Sequence, residues 1–161
     1  MNRLRRLRVT ACFSVLPVLA IGASSLGDDK AGHGQYFSSA ELASGAGHPE
    51  NGILLRELAT DPSATTLIIR RDRIGEFEVH TAINDIFVVE SGHATVIVGG
   101  LVRGNHEIRP TEWRGGEVTG GEAYELGPGD VLLIAAGLPH RVAPHPGETF
   151  IYVTIKTPTK A

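Results

Sequence analysis

The segment Gly75-Glu-Phe-Glu-Val-His-Thr-Ala-Ile-Asn-Asp-Ile-Phe-Val-Val-Glu-Ser-Gly92 contains the pattern that decides the fold. It predicts two β-strands joined by a short polar turn. Because side chains alternate along a strand, Glu76, Glu78, His80 and Ala82 are placed on one face. Asp85, Phe87 and Val89 share one face of the strand that follows. A histidine at the end of one strand therefore lies near a carboxylate at the start of the next.

A second segment, Gly127-Pro-Gly-Asp-Val-Leu-Leu-Ile-Ala-Ala-Gly-Leu-Pro-His140, supplies another histidine after an apolar run flanked by Gly/Pro turns. Two histidines and a carboxylate on the walls of a closed sheet are ligands that suit a transition metal. The residues themselves thus raise the hypothesis of a metal site at His80, Asp85 and His140.

The first residues differ from the rest of the chain. Four arginines (Arg3, Arg5, Arg6 and Arg8) precede an apolar run over 9–23, which small residues follow. This pattern is typical of a secretory signal peptide, and we predict one over 1–25 and an exported protein, periplasmic or extracellular. An uncleaved membrane anchor ranks second, because the run is shorter than the roughly 20 residues that a spanning helix needs. We expect no stable membrane insertion once the leader is removed.

The composition of the mature chain excludes several functions. The only cysteine of the full sequence, Cys12, lies in the predicted leader. The mature chain therefore has no cysteine, and neither disulfides nor thiolate chemistry are expected. Removing four of 15 basic residues leaves 11 against 18 acidic ones, a net charge of −7. An acidic domain is a poor candidate for binding the negatively charged phosphate backbone, so we expect no nucleic-acid partner. The only basic cluster, Arg70, Arg71 and Arg73, is interpreted as a solvated turn.

Residues 26–50 are predicted to form a linker and a short helix, which the spacing Ser38-x-x-Glu41 would cap and which would end by Gly45. From 51 to 161 the chain alternates short strands with turn residues, which predicts a β-sandwich or jelly-roll barrel. The predicted strands span 53–58, 64–71, 76–80, 85–91, 93–98, 123–126, 131–134, 140–142 and 149–156. Residues 101–121 are predicted to form a long loop or a loose hairpin near the barrel mouth.

Over residues 53–156 the chain resembles the cupin superfamily, whose members carry two sequence boxes. Positions of both boxes are present: Gly75, His80, Ala82, Asp85 and Gly92 in the first, and Gly129, Ala135, Gly137, His140 and Pro144 in the second. The resemblance implies an all-β fold, a single-domain double-stranded β-helix, or jelly-roll barrel, with a short N-terminal helix before it.

The first box departs from the cupin pattern. Aligned in this way, Ala82 occupies the position of the second histidine, and Asp85 replaces the glutamate after a shortened gap. The implied ligand set is therefore reduced to His80, Asp85 and His140, which can still form a facial triad for a divalent ion such as iron, manganese, zinc or nickel. Alternatively, the metal has been lost and the two histidines are hydrogen-bonded in a polar pocket.

Other residues carry weaker hypotheses. Glu78 shares the His80 face and is a candidate general base or hydrogen-bond partner, although a strand glutamate is more often solvated. The predicted pocket residues are Phe87, Tyr152 and Lys156, and Lys156 could hold a substrate carboxylate. The last strand offers two faces. We expect the Ile151, Val153 and Ile155 face to be the core, in which case Phe150, Tyr152, Thr154 and Lys156 point outward.

Two functions follow from the resemblance. The first is a metal-dependent enzyme that acts on a small molecule as a dioxygenase, isomerase or lyase; the second is a non-catalytic module that binds a small ligand or a metal. Fold alone does not choose between them. The resemblance also implies a homodimer, since cupins commonly pair through sheet edges or through their N-terminal strand.

Overall fold

A computed structural model describes residues 34–44 and 50–159. The predicted signal peptide lies outside the described residues, as does much of the predicted linker. Helix α1 spans Ser39–Ser44, and a single 3-10 turn spans Glu50–Gly52. Ser38 and Glu41 form the predicted capping box: the Ser38 backbone N–H donates to Glu41 Oε2 at 2.9 Å, and the Glu41 N–H donates to Ser38 Oγ at 3.2 Å.

The rest of the described chain is built from short strands, which confirms the predicted all-β class. All nine predicted strands are present, with their ends shifted by at most three residues. The strands are β1 (Ile53–Asp61), β2 (Ala64–Arg71), β3 (Glu78–His80), β4 (Ile83–Ser91), β5 (Ala94–Val98), β6 (Leu101–Arg103), β7 (His106–Arg109), β8 (Glu112–Arg114), β9 (Glu117–Thr119), β10 (Glu122–Leu126), β11 (Val131–Ile134), β12 (His140–Pro144) and β13 (Phe150–Pro158).

The strands form two antiparallel sheets and a small ribbon. One sheet has the order β1-β2-β13-β4-β11, the other β10-β5-β12-β3-β8-β7, and β6 pairs with β9. The main core contains apolar side chains from both sheets, among them Ile69, Phe87, Val96, Val142 and Tyr152. Apolar residues that alternate along each strand therefore fill the interior of a jelly-roll barrel.

Strand β13 corrects one expectation. Its Phe150, Tyr152 and Thr154 side chains face the interior and are fully buried, so the opposite face is not the core of the barrel. That second face is covered as well: Ile151 and Val153 belong to a separate apolar cluster, against which Leu42 of α1 packs. Because β13 lies between β2 and β4 and is covered on both sides, alternation of apolar residues could not show which face points inward.

Residues 101–121 form a kinked hairpin arm, the second of the two predicted arrangements. The β5–β10, β6–β9 and β7–β8 pairs are nested along one long hairpin. Glycines with positive φ interrupt both of its sides, at 99–100 and 104 on the way out and at 115–116 and 120–121 on the way back. A Cβ at Gly116 would overlap the backbone carbonyl oxygen of Arg103, so this kink requires glycine. The arm bends until β8 pairs with β3, which places Glu112 opposite His80.

Within residues 34–44 and 50–159, no helix is long and apolar enough to cross a membrane.

The turn after β4 should be sensitive to substitution. Gly92 has a φ of 75°, and a Cβ there would overlap the Thr149 carbonyl oxygen, whereas Gly99 has a φ of 82° and open space around it. We expect Gly99→Ala to lose about 1–2 kcal/mol of unfolding free energy for the left-handed backbone alone, and Gly92→Ala to lose clearly more. Urea unfolding followed by circular dichroism measures both, and equal losses would contradict the proposed clash.

Candidate metal and ligand site

A cavity of about 460 Å³ lies inside the barrel. Strands β1, β2, β3, β4, β12 and β13 supply its walls, and the hairpin arm adds Arg109 and Arg114. Its polar lining includes all three predicted metal ligands, His80, Asp85 and His140. Strands that are distant in the sequence therefore bring these side chains into one enclosed volume, where electrostatic interactions are stronger than in water.

Asp85 is a buried charge with three partners. Only 1% of the residue is exposed. Its Oδ2 is 2.7 Å from His80 Nδ1, its Oδ1 is 2.6 Å from Lys156 Nζ, and Thr154 Oγ1 donates to Oδ1 at 3.4 Å. Burial alone would raise the pKa of this carboxyl, but the hydrogen bond from His80 and the charge of Lys156 outweigh it and lower the pKa to about 2. Asp85 is therefore ionised at any pH near neutral.

The partners of the two imidazoles determine which nitrogen is free. An ionised carboxylate only accepts hydrogen bonds, so His80 donates through Nδ1 to Asp85, and Nε2 is the nitrogen outside that bond. His140 Nδ1 lies 3.2 Å from the Leu138 carbonyl oxygen and must likewise donate, which leaves Nε2 free. Burial lowers the pKa of His140, although the Glu78 and Asp85 charges oppose it, so this ring is neutral at neutral pH. A neutral imidazole with a free Nε2 is a competent metal ligand.

The predicted triad is close enough to hold one ion. One ligand atom each from His80, Asp85 and His140 lie within 4.8 Å of one another, and His140 Nε2 is 3.9 Å from Asp85 Oδ2. The ring centroids of the two histidines are 5.3 Å apart. In a second group, formed by Glu78, His80 and Glu112, one ligand atom of each residue also lies within 4.8 Å of the others. Two imidazole nitrogens and a carboxylate oxygen are a ligand set that fits a divalent transition metal.

Glu78 is buried, contrary to the expectation of a solvated strand residue. Its carboxylate pairs with Arg71 at 3.1 Å and Arg114 at 3.5 Å, and its Oε2 is 3.9 Å from His80 Nε2. Burial raises the pKa of Glu78, but the two guanidinium charges lower it by more. Glu78 is thus ionised, as a general base must be, and the same lowered pKa makes it a weak base. Its catalytic role stays a prediction.

The structure corrects one expectation about Ala82, which was expected to share a strand face with His80. Strand β3 ends at His80, and Ala82 lies in the bend that follows, half-buried and outside the set of residues that line the cavity. Glu78 and His80 both line the cavity from β3, so this strand carries a carboxylate beside the histidine on its inner face.

The predicted pocket residues Phe87, Tyr152 and Lys156 all line the cavity. Phe87 packs against Tyr152, with ring centroids 4.7 Å apart. The Phe87 and His140 rings are arranged edge to face, with centroids 6.2 Å apart. The Tyr152 hydroxyl accepts a hydrogen bond from Arg71 Nε at 3.0 Å. The Lys156 ammonium already pairs with Asp85, and its predicted role in holding a substrate carboxylate stays a prediction.

Two buried charged residues of the site were not found from the sequence. Arg71, interpreted as part of a solvated turn, is buried and pairs with Glu78. It follows Leu67 and Ile69 on the inward face of β2, so strand alternation contained a signal for it. Glu112 is also buried and pairs with Arg109 and Arg114. No sequence pattern reveals this position, because it depends on the glycine kinks of the arm.

Two antiparallel sheets that enclose a cavity form the architecture of a double-stranded β-helix. Solved structures agree on this fold. A Klebsiella pneumoniae protein with a double-stranded β-helix domain has a TM-score of 0.57 at 19% identity, covering 84% of this chain and 94% of that one. A cupin superfamily protein from Desulfitobacterium hafniense scores 0.52 at 18% identity, covering 73% and 88%. KdgF from a Halomonas species scores 0.51 at 18% identity, covering 69% and 84%.

The cupin resemblance predicted from the sequence boxes is therefore confirmed at the level of the fold. The model of the AraC-like ligand binding domain family matches residues 116–160, from β9 through β13. That match spans less than half of the chain. No curated protein matches the sequence.

The Asp85 network predicts a specific acid sensitivity in metal-stripped protein. A folded pKa of about 2 against an ordinary 3.8 is worth about 2 kcal/mol. Because the folded pKa is the lower one, this stability is fully present above pH 4 and is lost as the pH falls towards 2. We expect Asp85→Asn to be less stable at neutral pH and to show a shallower loss across that window.

Urea unfolding at a series of pH values, with the wild type measured in parallel, gives the difference. Parallel curves for the two proteins between pH 4 and pH 2 would contradict the assignment.

Proposed function

We propose that this protein is an exported cupin that holds a divalent metal ion at His80, Asp85 and His140 and acts on a small molecule in the barrel cavity. The observation that carries the proposal is the convergence of the three ligand atoms within 4.8 Å. The hydrogen bond between His140 Nδ1 and the Leu138 carbonyl oxygen supports it, since it leaves the Nε2 lone pair of His140 for coordination.

The residues that line the cavity would have different roles in such a site. A bound ion would supply Lewis acidity, or a route to redox chemistry if it were iron or manganese. Phe87 and Tyr152 form an apolar wall beside the imidazoles, which limits access of water. Arg109 and Arg114 line the cavity with partly exposed side chains and would offer positive charge to a bound ligand. The resemblance covers dioxygenases, isomerases and lyases without selecting among them, and export rests on the predicted signal peptide.

The alternative is a non-catalytic module that binds a small ligand. One observation favours it: the Asp85 charge is already neutralised by Lys156, so the interior needs no ion to be stable. The family match to an AraC-like ligand binding domain over 116–160 points the same way.

Elemental analysis separates the two functions. Protein purified without affinity-metal exposure should contain about one equivalent of a transition metal. Since loss of a mere hydrogen-bond partner of a ligand commonly weakens metal binding 10- to 100-fold, we expect His80→Ala and His140→Ala to bind the metal at least about tenfold more weakly.

The control is His106→Ala, an exposed position on β7, which should keep its metal. Metal-containing protein that consumes oxygen or converts a small molecule supports the enzyme. Protein without metal that retains an unaltered ligand through purification overturns the metal site and supports the binding module.

We further propose that the protein pairs as a homodimer through β11, an edge strand of the five-stranded sheet. Val131 and Leu133 on its outer face are 63% and 66% exposed, and neighbouring Val88 and Ile86 on β4 extend the apolar surface. Exposed apolar edges of this kind are usually covered in solution.

Leu133→Asp should halve the mass measured by light scattering, because it places a charge in the interface. Leu101→Asp, at an equally apolar position that is 60% exposed on β6, should leave the mass unchanged. A wild-type protein that is monomeric at high concentration would contradict the dimer.

A further inference from the structure

We infer that Lys156 is an internal counter-ion that competes with a divalent metal for Asp85, so that metal loading requires its ammonium group to move. This inference concerns the regulation of the same site and rests on the proposed metal-binding function. It goes beyond that function because Lys156 is not a ligand in it.

The position of the ammonium group carries the inference. Lys156 Nζ lies 2.6 Å from Asp85 Oδ1 and 3.5 Å from His80 Nε2. These are a carboxylate oxygen of one proposed ligand and the second ring nitrogen of another. One cation therefore already occupies the approach to two of the three ligands.

The backbone holds this arrangement in place. Lys156 is paired directly with Asp85 in the register between β13 and β4. The Asp85 side chain is 1% exposed and that of Lys156 is 20% exposed, so water screens the pair weakly. A metal ion and an ammonium group bound together at one buried carboxylate would repel each other strongly. The long side chain of Lys156 lines the open cavity and has room there to swing aside.

Two consequences follow for the site. The metal-free protein keeps its buried carboxylate paired, which avoids the large destabilisation of an unpaired buried charge. Moving Lys156 away from Asp85 also costs free energy, and this cost lowers the affinity of the site for every divalent ion by about the same factor. Ions that bind such ligands weakly, such as Mg²⁺ or Ca²⁺, then fail to load, whereas Zn²⁺ or Ni²⁺ still bind.

The test is Zn²⁺ binding to metal-stripped mature protein, measured by calorimetry at neutral pH. Lys156→Met keeps the length of the side chain and removes the charge, and it should bind Zn²⁺ at least about tenfold more tightly than the wild type, a change equivalent to about 1.4 kcal/mol. Lys156→Arg, which keeps the charge, should remain within a few-fold of the wild type. A folded Lys156→Met protein with wild-type affinity overturns the inference while leaving the metal site intact.

A second measurement uses the wild type, in case Lys156→Met does not fold. Acetylation of Lys156, followed by mass spectrometry, should become several-fold faster when Zn²⁺ releases the amino group from Asp85. An unchanged rate in Zn²⁺-saturated protein overturns the inference. Absence of Zn²⁺ binding by the wild type and by both variants overturns the proposed metal site and this inference with it.

Discussion

The neutralisation of one buried carboxylate is the constraint on which the interior of this barrel depends. Asp85 has almost no contact with solvent, and an unpaired charge in such a place would cost several kcal/mol. Its partners come from other strands: His80 from β3, and Thr154 and Lys156 from β13. The barrel must therefore close in the correct register before the charge is satisfied, and the same closure creates the cavity in which chemistry or binding can occur.

A second charged network extends from the first. Glu78 shares the inner face of β3 with His80 and is held by Arg71 and Arg114, while Glu112 joins Arg114 to Arg109. The kinked hairpin arm supplies Arg109, Glu112 and Arg114 by bringing β8 alongside β3. The glycines of the arm thus affect the site indirectly, because the kinks they form determine where Arg109, Glu112 and Arg114 lie. Variation in the arm would therefore change the surroundings of His80, which Glu112 faces across the β3–β8 pair.

Much of the fold could be predicted because strand alternation and turn residues are local signals. The strand over 64–71 was predicted with its observed ends, and the segment 75–92 correctly placed His80 near Asp85. Where the prediction was wrong, the cause was packing between distant segments. The inward face of β13 could not be read from a strand that is apolar on both sides, and alternation was continued to Ala82 although the strand ends at His80. The burial of Glu78 and Arg71 follows from their mutual pairing, which a linear pattern does not display.

The place of β13 in its sheet determines the order in which the molecule can assemble. It lies between β2 and β4 and follows every other described strand in the chain. Until it inserts, β2 and β4 each have an edge without a partner, and Asp85 lacks its lysine. Earlier strands can pair locally as hairpins, but the closed shell and its charged interior come into being together in one final step. A nascent chain would therefore stay open, and exposed to proteases and to aggregation, until residues 150–158 are available.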